Sequence, residues 1–430
     1  MSHLDAARFQ MAYSLFFHMI FAALGVGMPA LLATADYLHL RTRDRDYERL
    51  AKTWARATAV LFAIGAVSGT GIAFELGLLW PEFMHFAGST VGPAFTLEGY
   101  AFFTEAIFIG LYLYGRERMR PVAHWLTAVA VAVSGAASSF LVTAANAWQQ
   151  NPVGVDLLQS NPEAMNPWTV FVNPHWPVMA VHSTIACYAA TGFAVAGVYA
   201  WGMLRGRGDP LRQKALRIAL AMGLIAAVTM PLTGDLSAKV VARHQPEKLA
   251  AMEALFVTQA RAPLLIGGLP NPEEGTVCCA VAVPGLLSFL AYGRLDAEVA
   301  GLDRVPRQEW PNVPLVHISF QLMVGAGIAM VLVGLYYAWV RWRRPEQVPR
   351  DRRLLWLLVL SSPLGYLALE AGWIVSETGR QPWTIWKVML TADAVTPSGS
   401  TMALSMAGFT ALYAALAAAL VLLLNRLRHE

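Results

Sequence analysis

The sequence is poor in charged residues and in cysteine. Asp, Glu, Lys and Arg make up only 14% of its 430 residues, whereas ordinary soluble domains contain about 25%. Its three cysteines, Cys187, Cys278 and Cys279, form neither a C-x-x-C-H haem-attachment motif nor a zinc-binding spacing. The chain also contains no internal repeat and no low-complexity tract. These absences exclude a covalent c-type haem, a zinc module and a repeat array. The hydrophobic content of 56% indicates a membrane protein.

Long apolar runs recur along the whole chain. A helix needs about 20 residues to cross a hydrocarbon layer of about 30 Å. The sufficiently long runs cover residues 9–38, 53–79, 93–115, 121–147, 178–204, 218–234, 314–340, 354–376 and 398–424. The sequence therefore predicts an all-α fold, a polytopic membrane bundle of about nine transmembrane helices that forms one domain over residues 1–430. The first run is too long for a signal-peptide core, so we expect it to be a retained helix.

Lysine and arginine are concentrated on one side of the predicted bundle. The C-terminus and four alternate connections carry 22 of the 32 basic residues, whereas the connections 80–92 and 148–177 carry none. The four basic connections are 41–56, 116–120, 205–217 and 341–353. Because short basic loops remain in the cytoplasm, this pattern predicts an N-terminus outside and a C-terminus inside. The net charge of +4 belongs to this inner face and indicates no nucleic-acid partner.

One long extramembrane segment, 235–313, separates the sixth and seventh predicted spans. Its apolar run 277–292 is interrupted by Pro284. A further span there would move the basic connection 341–353 to the outer side. We therefore expect this run to pack on the outer surface of the bundle.

Six side chains that are unusual inside a bilayer fall in the outer half of the predicted spans. They are His18, Glu98, Glu105, His182, Met323 and Glu370. Imidazole and thioether groups are haem-iron ligands, and intramembrane carboxylates serve in proton relays. Each residue also has a simpler interpretation, since bundle histidines are commonly hydrogen-bonded, Met323 is one of 17 methionines, and the glutamates would suit an ion site. Position alone therefore indicates a redox or proton-handling membrane protein.

Seven short motif blocks follow one another between residues 8 and 383. They are RFQ at 8–10 with FH at 17–18, LEG at 97–99 with AFF at 101–103 and Glu105, NAWQQNP at 146–152, NP at 173–174 with VH at 181–182, KLAAME at 248–253, FQLM at 320–323, and EAGW at 370–373 with ETGRQPW at 377–383. The last block is the most specific. In this order the blocks resemble subunit I of the cytochrome bd-type terminal oxidases over nearly the whole chain.

The resemblance implies a quinol:oxygen oxidoreductase in the bacterial cytoplasmic (inner) membrane. Such an enzyme oxidises quinol at the outer face, reduces O₂ to water, and generates a proton motive force without pumping. The implied cofactors are a low-spin haem b, a high-spin haem b, and haem d or a further haem b. The implied partners are subunit II and a small single-span subunit.

The resemblance also implies roles for individual residues. His182 and Met323 would be the axial ligands of low-spin haem b. His18 and Glu370 would each ligate one of the two high-spin haems, and which residue takes which haem stays open.

Three further pairs of residues acquire roles by the same resemblance. Lys248 and Glu253 would bind quinol and accept its protons in segment 235–313, which the family calls the Q loop. Glu98 and Glu105 would line the proton path to the oxygen site. The last pair, Arg380 and Gln381, would position haem propionates at the outer surface.

Some positions depart from the long-loop branch of the family. The Q loop is short, Gln321 replaces a basic residue, and Ala73 replaces a carboxylate, with Glu75 two residues further on. Glu98 and Glu105 are seven residues apart, one fewer than in that branch. These features resemble the cyanide-insensitive branch, whose members can carry haem b where others carry haem d, so the type of the third haem stays open.

Two other functions are compatible with parts of the pattern. A cytochrome b-type subunit of a quinone-linked dehydrogenase would need paired histidine ligands, but only His18 and His182 lie well inside spans. A proton-coupled transporter would be built around the intramembrane glutamates and would predict internal repeats in matching halves.

Overall fold

The computed structural model describes residues 2–160, 166–206, 208–396 and 399–429, and most of them are helical. The α-helices are α1 (His3–Thr42), α2 (Arg45–Leu79), α3 (Pro81–Gly115), α4 (Pro121–Gln150), α5 (Val155–Ser160), α6 (His175–Leu204), α7 (Pro210–His244), α8 (Pro246–Met252), α9 (Leu286–Tyr292), α10 (Val313–Arg343), α11 (Arg352–Ser361), α12 (Leu364–Thr378), α13 (Thr391–Ala394) and α14 (Gly399–His429). Short 3₁₀ turns cover Pro167–Phe171, Leu302–Arg304, Arg307–Glu309 and Pro345–Gln347.

Nine helical segments of the described chain are long and apolar enough to cross a membrane. They are α1, α2, α3, α4, α6, α7, α10, the pair α11–α12, and residues Ala403–Leu423 of α14. The prediction of an all-α, polytopic bundle with about nine spans is confirmed. Residue 398, where the ninth predicted span begins, lies outside the described residues.

Several helices are longer than their apolar runs indicated, and the difference is largest for α3 and α7. α3 begins at Pro81 rather than near residue 93, because Pro81 occupies the first helical turn directly after Trp80 ends α2. Segment 80–92, which the sequence suggested was a connection, is therefore mostly helical. α7 continues beyond residue 234 to His244, so the first ten residues of segment 235–313 are helical.

Glycines allow the central helix α6 to approach its neighbours closely. A Cβ atom on Gly192 would overlap the backbone of Gly223 in α7, and one on Gly365 in α12 would overlap the backbone of Ala190. Such close backbone approach is typical of small residues between membrane helices. It brings the side chains of α6 within hydrogen-bonding distance of those of α7.

Eight short strands pair into four antiparallel ribbons, β1–β6, β2–β5, β3–β4 and β7–β8. Their bounds are β1 (Gln259–Ala260), β2 (Leu264–Ile266), β3 (Leu269–Asn271), β4 (Thr276–Cys278), β5 (Val281–Val283), β6 (Glu298–Val299), β7 (Trp383–Ile385) and β8 (Met389–Leu390). The first six, with α8 and α9, build the segment between α7 and α10.

Segment 245–312, between α7 and α10, is hydrogen-bonded to the N-terminal turns of α10. His317 places its Nδ1 2.8 Å from the carbonyl oxygen of Met252 and its Nε2 3.1 Å from that of Gly267. The amide of Gln321 donates to the carbonyl of Leu265 at 2.9 Å. The apolar run 277–292 forms β5, α9 and part of β4 rather than a further span, and the buried face of α9 packs into the same core cluster as the start of α10.

Candidate functional site

A large cavity extends through the bundle and under segment 245–312, which links α7 to α10. Its volume is about 1980 Å³, which exceeds the roughly 300–1,000 Å³ of an ordinary small-molecule pocket. Nine of the ten residues selected from the sequence line it. The exception is Glu370, whose side chain lies outside this wall although its neighbour Leu369 is part of it.

His18 of α1 is held by a hydroxyl group on α2. Its Nδ1 lies 2.9 Å from the Oγ of Ser68, and that hydroxyl donates its hydrogen to the carbonyl of Gly65 at 3.1 Å. Because a hydroxyl has one hydrogen, a Ser68 hydroxyl that is bonded to this carbonyl accepts from Nδ1–H of His18. The Nε2 of His18 then carries a free lone pair, and it makes no hydrogen bond to any described residue.

His182 of α6 repeats this arrangement on α7. Its Nδ1 lies 2.9 Å from the Oγ1 of Thr233, which donates to the carbonyl of Met230 at 3.1 Å. Nδ1 is therefore the donor, and Nε2 is again left with a free lone pair. Histidines that ligate a metal almost always donate a hydrogen bond from their other ring nitrogen in this way.

Two further metal-ligand candidates lie on neighbouring helices. Met323 of α10 packs against Gly372 of α12, where an added Cβ would lie 2.9 Å from its Sδ. Glu370 is 8% exposed, and neither of its carboxylate oxygens has a hydrogen-bond partner. A buried carboxylate without a hydrogen-bond partner is energetically unfavourable. Glu370 is therefore suited to ligating a metal ion or to carrying a proton.

This donor set fits haem groups better than a bare metal ion. Among the described residues, no three His, Cys, Asp or Glu side chains come together as a bare ion would require. His18, His182 and Met323 instead stand singly around one large apolar cavity, with Glu370 just behind its wall, which suits an iron that already has four macrocycle ligands. Arg8 and Arg380 each have a buried Nε without a partner, and both line the same cavity.

Glu98 and Glu105 lie two turns apart on one face of α3. Glu98 accepts a hydrogen bond of 3.0 Å from Ser138 of α4. Glu105 is 4% exposed, and its Oε1 has no partner. It occupies a gap beside Gly135, where an added Cβ would lie 3.4 Å from both carboxylate oxygens. Two carboxylates on one helix face, one half-buried and one buried, have the arrangement of a proton relay.

Three buried polar residues extend from this face of α3 towards the basic end of the bundle. Tyr112 lies two turns beyond Glu105, and its carbonyl is 2.9 Å from the Nε2 of His124. The Nδ1 of His124 lies 3.4 Å from the carboxylate of Asp36. All three side chains are buried. These three residues were not among the candidates selected from the sequence, although a His and an Asp inside predicted spans could have indicated them.

Lys248 of α8 joins the ends of two membrane helices. Its Nζ donates to the Oε1 of Gln150 and to the carbonyl of Ser376, each at 2.9 Å. Both acceptors lie in the last turn of a helix, where unpaired carbonyl groups favour a cation. Burial nevertheless lowers the pKa of Lys248 to about 7, so its amine can exchange a proton near neutral pH.

Glu253 lies just after α8 and faces the same cavity. Its side chain is 4% exposed, and its Oε2 has no partner. Burial raises the pKa of Glu253 to about 8. One cavity wall therefore carries an amine and a carboxyl group whose pKa values both lie close to neutral.

Arg380 and Gln381 connect the last motif block to the rest of the bundle. Arg380, 3% exposed, donates to Glu377 at 2.5 Å and to Gln149 at 2.7 Å. Gln381 accepts hydrogen bonds from Arg8 at 2.6 Å and from Thr391 at 2.9 Å. A cluster of buried guanidinium groups thus lines one end of the cavity, where it suits carboxylate groups of a ligand.

Comparisons with known proteins cover nearly the whole chain. The family model described as cytochrome bd terminal oxidase subunit I matches residues 6–430. A Bacillus subtilis (strain 168) protein provisionally named cytochrome bd menaquinol oxidase subunit I is 38% identical, over 99% of this chain and 96% of the relative. The cytochrome bd ubiquinol oxidase subunit 1 of the same organism is 31% identical, over 99% and 93%. The solved bd oxidase of Geobacillus thermodenitrificans has a TM-score of 0.91 and 34% identity, over 99% of this chain and 98% of that chain.

Proposed function

Because the chain belongs to the cytochrome bd terminal oxidase subunit I family, we propose that it oxidises quinol at the outer face of a bacterial cytoplasmic membrane and reduces O₂ to water. The resemblance found in the sequence is confirmed, and the chain is a multi-pass membrane subunit of a quinol oxidase. The transporter and the dehydrogenase subunit considered from the sequence are therefore set aside.

The observation that carries the proposal is the pair of imidazoles in one cavity, each with Nδ1 committed to a hydroxyl and Nε2 left open. His182 and Met323 would hold a low-spin haem b, since a His/Met pair is suited to electron transfer. His18 and Glu370 would each hold one of two high-spin haems. When bound, the haems supply the electron transfer and the oxygen chemistry.

Lys248 and Glu253 would bind and deprotonate quinol. Oxidation of one quinol releases two electrons and two protons. Glu253 in its ionised form accepts a proton, and the neutral amine of Lys248 can accept another, because the pKa values of both groups lie near neutral pH. Arg380 and Gln381 would position the haem propionates, with Arg8 as a further donor to them.

Glu98 and Glu105 would carry protons to the oxygen site from the basic inner side. The buried group of Tyr112, His124 and Asp36 extends this line towards the inner end. Quinol protons released outside and protons taken up from inside would together build a proton motive force without pumping. This arrangement requires the N-terminus outside and the C-terminus inside, as the basic loops favour.

Members of this family use quinol and work with a subunit II. We propose the same partner here, and in addition a small single-span subunit. The direct test is quinol-driven O₂ consumption by the purified complex, with the haems extracted and identified. A chlorin among them would establish haem d, and b-type haem alone would place a further haem b in the third site. Absence of quinol-driven O₂ uptake by a haem-loaded complex would contradict the proposal.

A further inference from the structure

A second, smaller cavity lies between α7 and α10 at the basic end of the bundle. Its volume is about 420 Å³. The wall includes Arg217, Leu220 and Leu224 of α7 and Tyr337, Arg341 and Trp342 of α10. The large cavity contains none of these residues, so the two are separate.

The smaller cavity carries positive charge that the protein does not neutralise. Arg217 and Arg341 both line this cavity beside Tyr337, which is 6% exposed, and each lies close enough to its hydroxyl for an electrostatic interaction. No acidic residue is found in the wall. Within the described part of the chain, neither arginine forms an ion pair with a carboxylate. Two guanidinium groups converging on one site favour an anion that carries several oxygen acceptors.

The surface beside the arginines is apolar and open to the membrane. Val228 lies about 16 Å further along α7 than Arg217, towards the membrane centre, because a helix rises 1.5 Å per residue. Val228 is 48% exposed, Leu332 of α10 is 62% exposed, and neither residue lines the large cavity. Trp342 is 75% exposed at the basic end, as expected of a tryptophan at the membrane–water interface.

We propose that Arg217 and Arg341 bind the phosphate of an anionic phospholipid whose acyl chains lie along α7 and α10. Basic pockets between transmembrane helices at the cytoplasmic side are suited to such headgroups. The shared chemistry is a phosphate with free oxygen acceptors, and the apolar groove above the arginines favours a lipid over a free anion. A lipid bound there bridges the helices that carry Thr233 and Met323. The site does not depend on the proposed redox function.

The test is native mass spectrometry of the purified, delipidated complex with added phosphatidylglycerol or phosphatidylcholine of identical acyl chains. The wild type should bind phosphatidylglycerol more tightly than phosphatidylcholine. The variant Arg217→Gln/Arg341→Gln should weaken the tightest phosphatidylglycerol site by about 30-fold, and Arg217→Gln alone by about fivefold. The control Arg350→Gln/Arg352→Gln removes two exposed arginines from the same face and should leave this site unchanged.

If the control variant lost as much phosphatidylglycerol binding as the double variant, the effect would be one of general charge, and the proposed site would be wrong. Equal affinity for the two lipids in the wild type would also overturn it. Inorganic phosphate added at the lipid concentration should not displace phosphatidylglycerol, and displacement would show a phosphate site without a lipid requirement. An unchanged haem absorbance spectrum shows that the double variant is folded. If the double variant does not fold, the single variant Arg217→Gln, which changes an exposed position, tests the proposal alone.

Discussion

The Nδ1 atom of His182 lies 2.9 Å from the hydroxyl oxygen of Thr233, across the closely packed interface of α6 and α7. That hydroxyl donates its only hydrogen to the carbonyl of Met230. With that hydrogen on Met230, the imidazole donates from Nδ1 and keeps the lone pair of Nε2 free. Thr233 thus favours the tautomer that the proposed ligation of iron by His182 requires.

Replacing Thr233 with valine keeps the shape of the side chain but removes the acceptor for Nδ1–H. We expect low-spin haem b to be held more weakly, by about 10- to 100-fold, as for other outer partners of metal ligands. The measurement is the low-spin haem content per complex during dilution in detergent. Thr229→Val, whose hydroxyl bonds only within its own helix, is the matched control. Unchanged haem retention in Thr233→Val would contradict the assignment.

Ser68 should act in the same way on His18, but for a different haem. Ser68→Ala is expected to weaken a high-spin haem and to leave the low-spin spectrum intact, because Ser68 is bonded to His18 and not to His182. The absorbance spectrum and its response to carbon monoxide distinguish the two haem types. Ser68→Thr restores the hydroxyl and should restore the haem. Loss of the low-spin band alone would show that the two histidines have been assigned the wrong way round.

The rate of quinol oxidation should depend on the ionisation of Glu253. Its pKa is raised to about 8, so below pH 8 most of the population is protonated and cannot accept a proton from quinol. The rate should therefore rise with pH, by up to about tenfold per unit, and level off above pH 8. Glu253→Gln should be slow and should lose this rise. The exposed Q-loop residue Glu274 supplies the control variant Glu274→Gln, and persistence of the rise in Glu253→Gln would exclude Glu253 as the acceptor.

Lys248 should affect quinol oxidation without affecting the haems. Removing a buried charged donor costs about 1.5–3 kcal/mol, so Lys248→Ala is expected to raise KM for quinol about 10- to 100-fold. The optical spectrum should remain unchanged. Lys239→Ala, which removes a lysine paired on the surface with Asp235, is the control. A changed haem spectrum in Lys248→Ala would instead make Lys248 a support of the haem pocket through Gln150 and Ser376.

Glu105 should be essential for proton delivery and dispensable for haem binding. Glu105→Gln keeps the size of the side chain but removes the proton-carrying group, so turnover should fall by at least 100-fold while the haem content stays normal. Stopped-flow oxidation of the reduced complex by O₂ measures the step directly. Glu82→Gln changes an exposed glutamate on the same helix and should be neutral. Normal turnover in Glu105→Gln would exclude this residue from the path.

The sequence predicted the spans well because apolar runs and basic loops report directly on the membrane. It placed the start of α3 too late because Glu82 and His85 interrupt the apolar run, although Pro81 already begins the helix. Segment 235–313 likewise begins with the last turns of α7. In both places polar residues end the apolar run, and hydropathy carries no information on whether the helix continues.

The rare residues of the site could be predicted, but their partners could not. His18, His182 and Glu105 are conspicuous inside apolar runs, because ionisable groups are costly there. Ser68, Thr233 and Gln150 are ordinary residues in membrane helices. Their partners lie 50, 51 and 98 residues away in sequence, and only the packed helices bring them together. The position of Glu370 outside the cavity wall also depends on the packing of α12.

The most direct test of the account is the reduced-minus-oxidised optical spectrum of the purified complex, recorded for the wild type and for His182→Ala. The account predicts a low-spin haem b band in the wild type and its selective loss in the variant, with the high-spin haem bands retained. A wild type without haem bands, or a His182→Ala variant with an unchanged low-spin band, would contradict it.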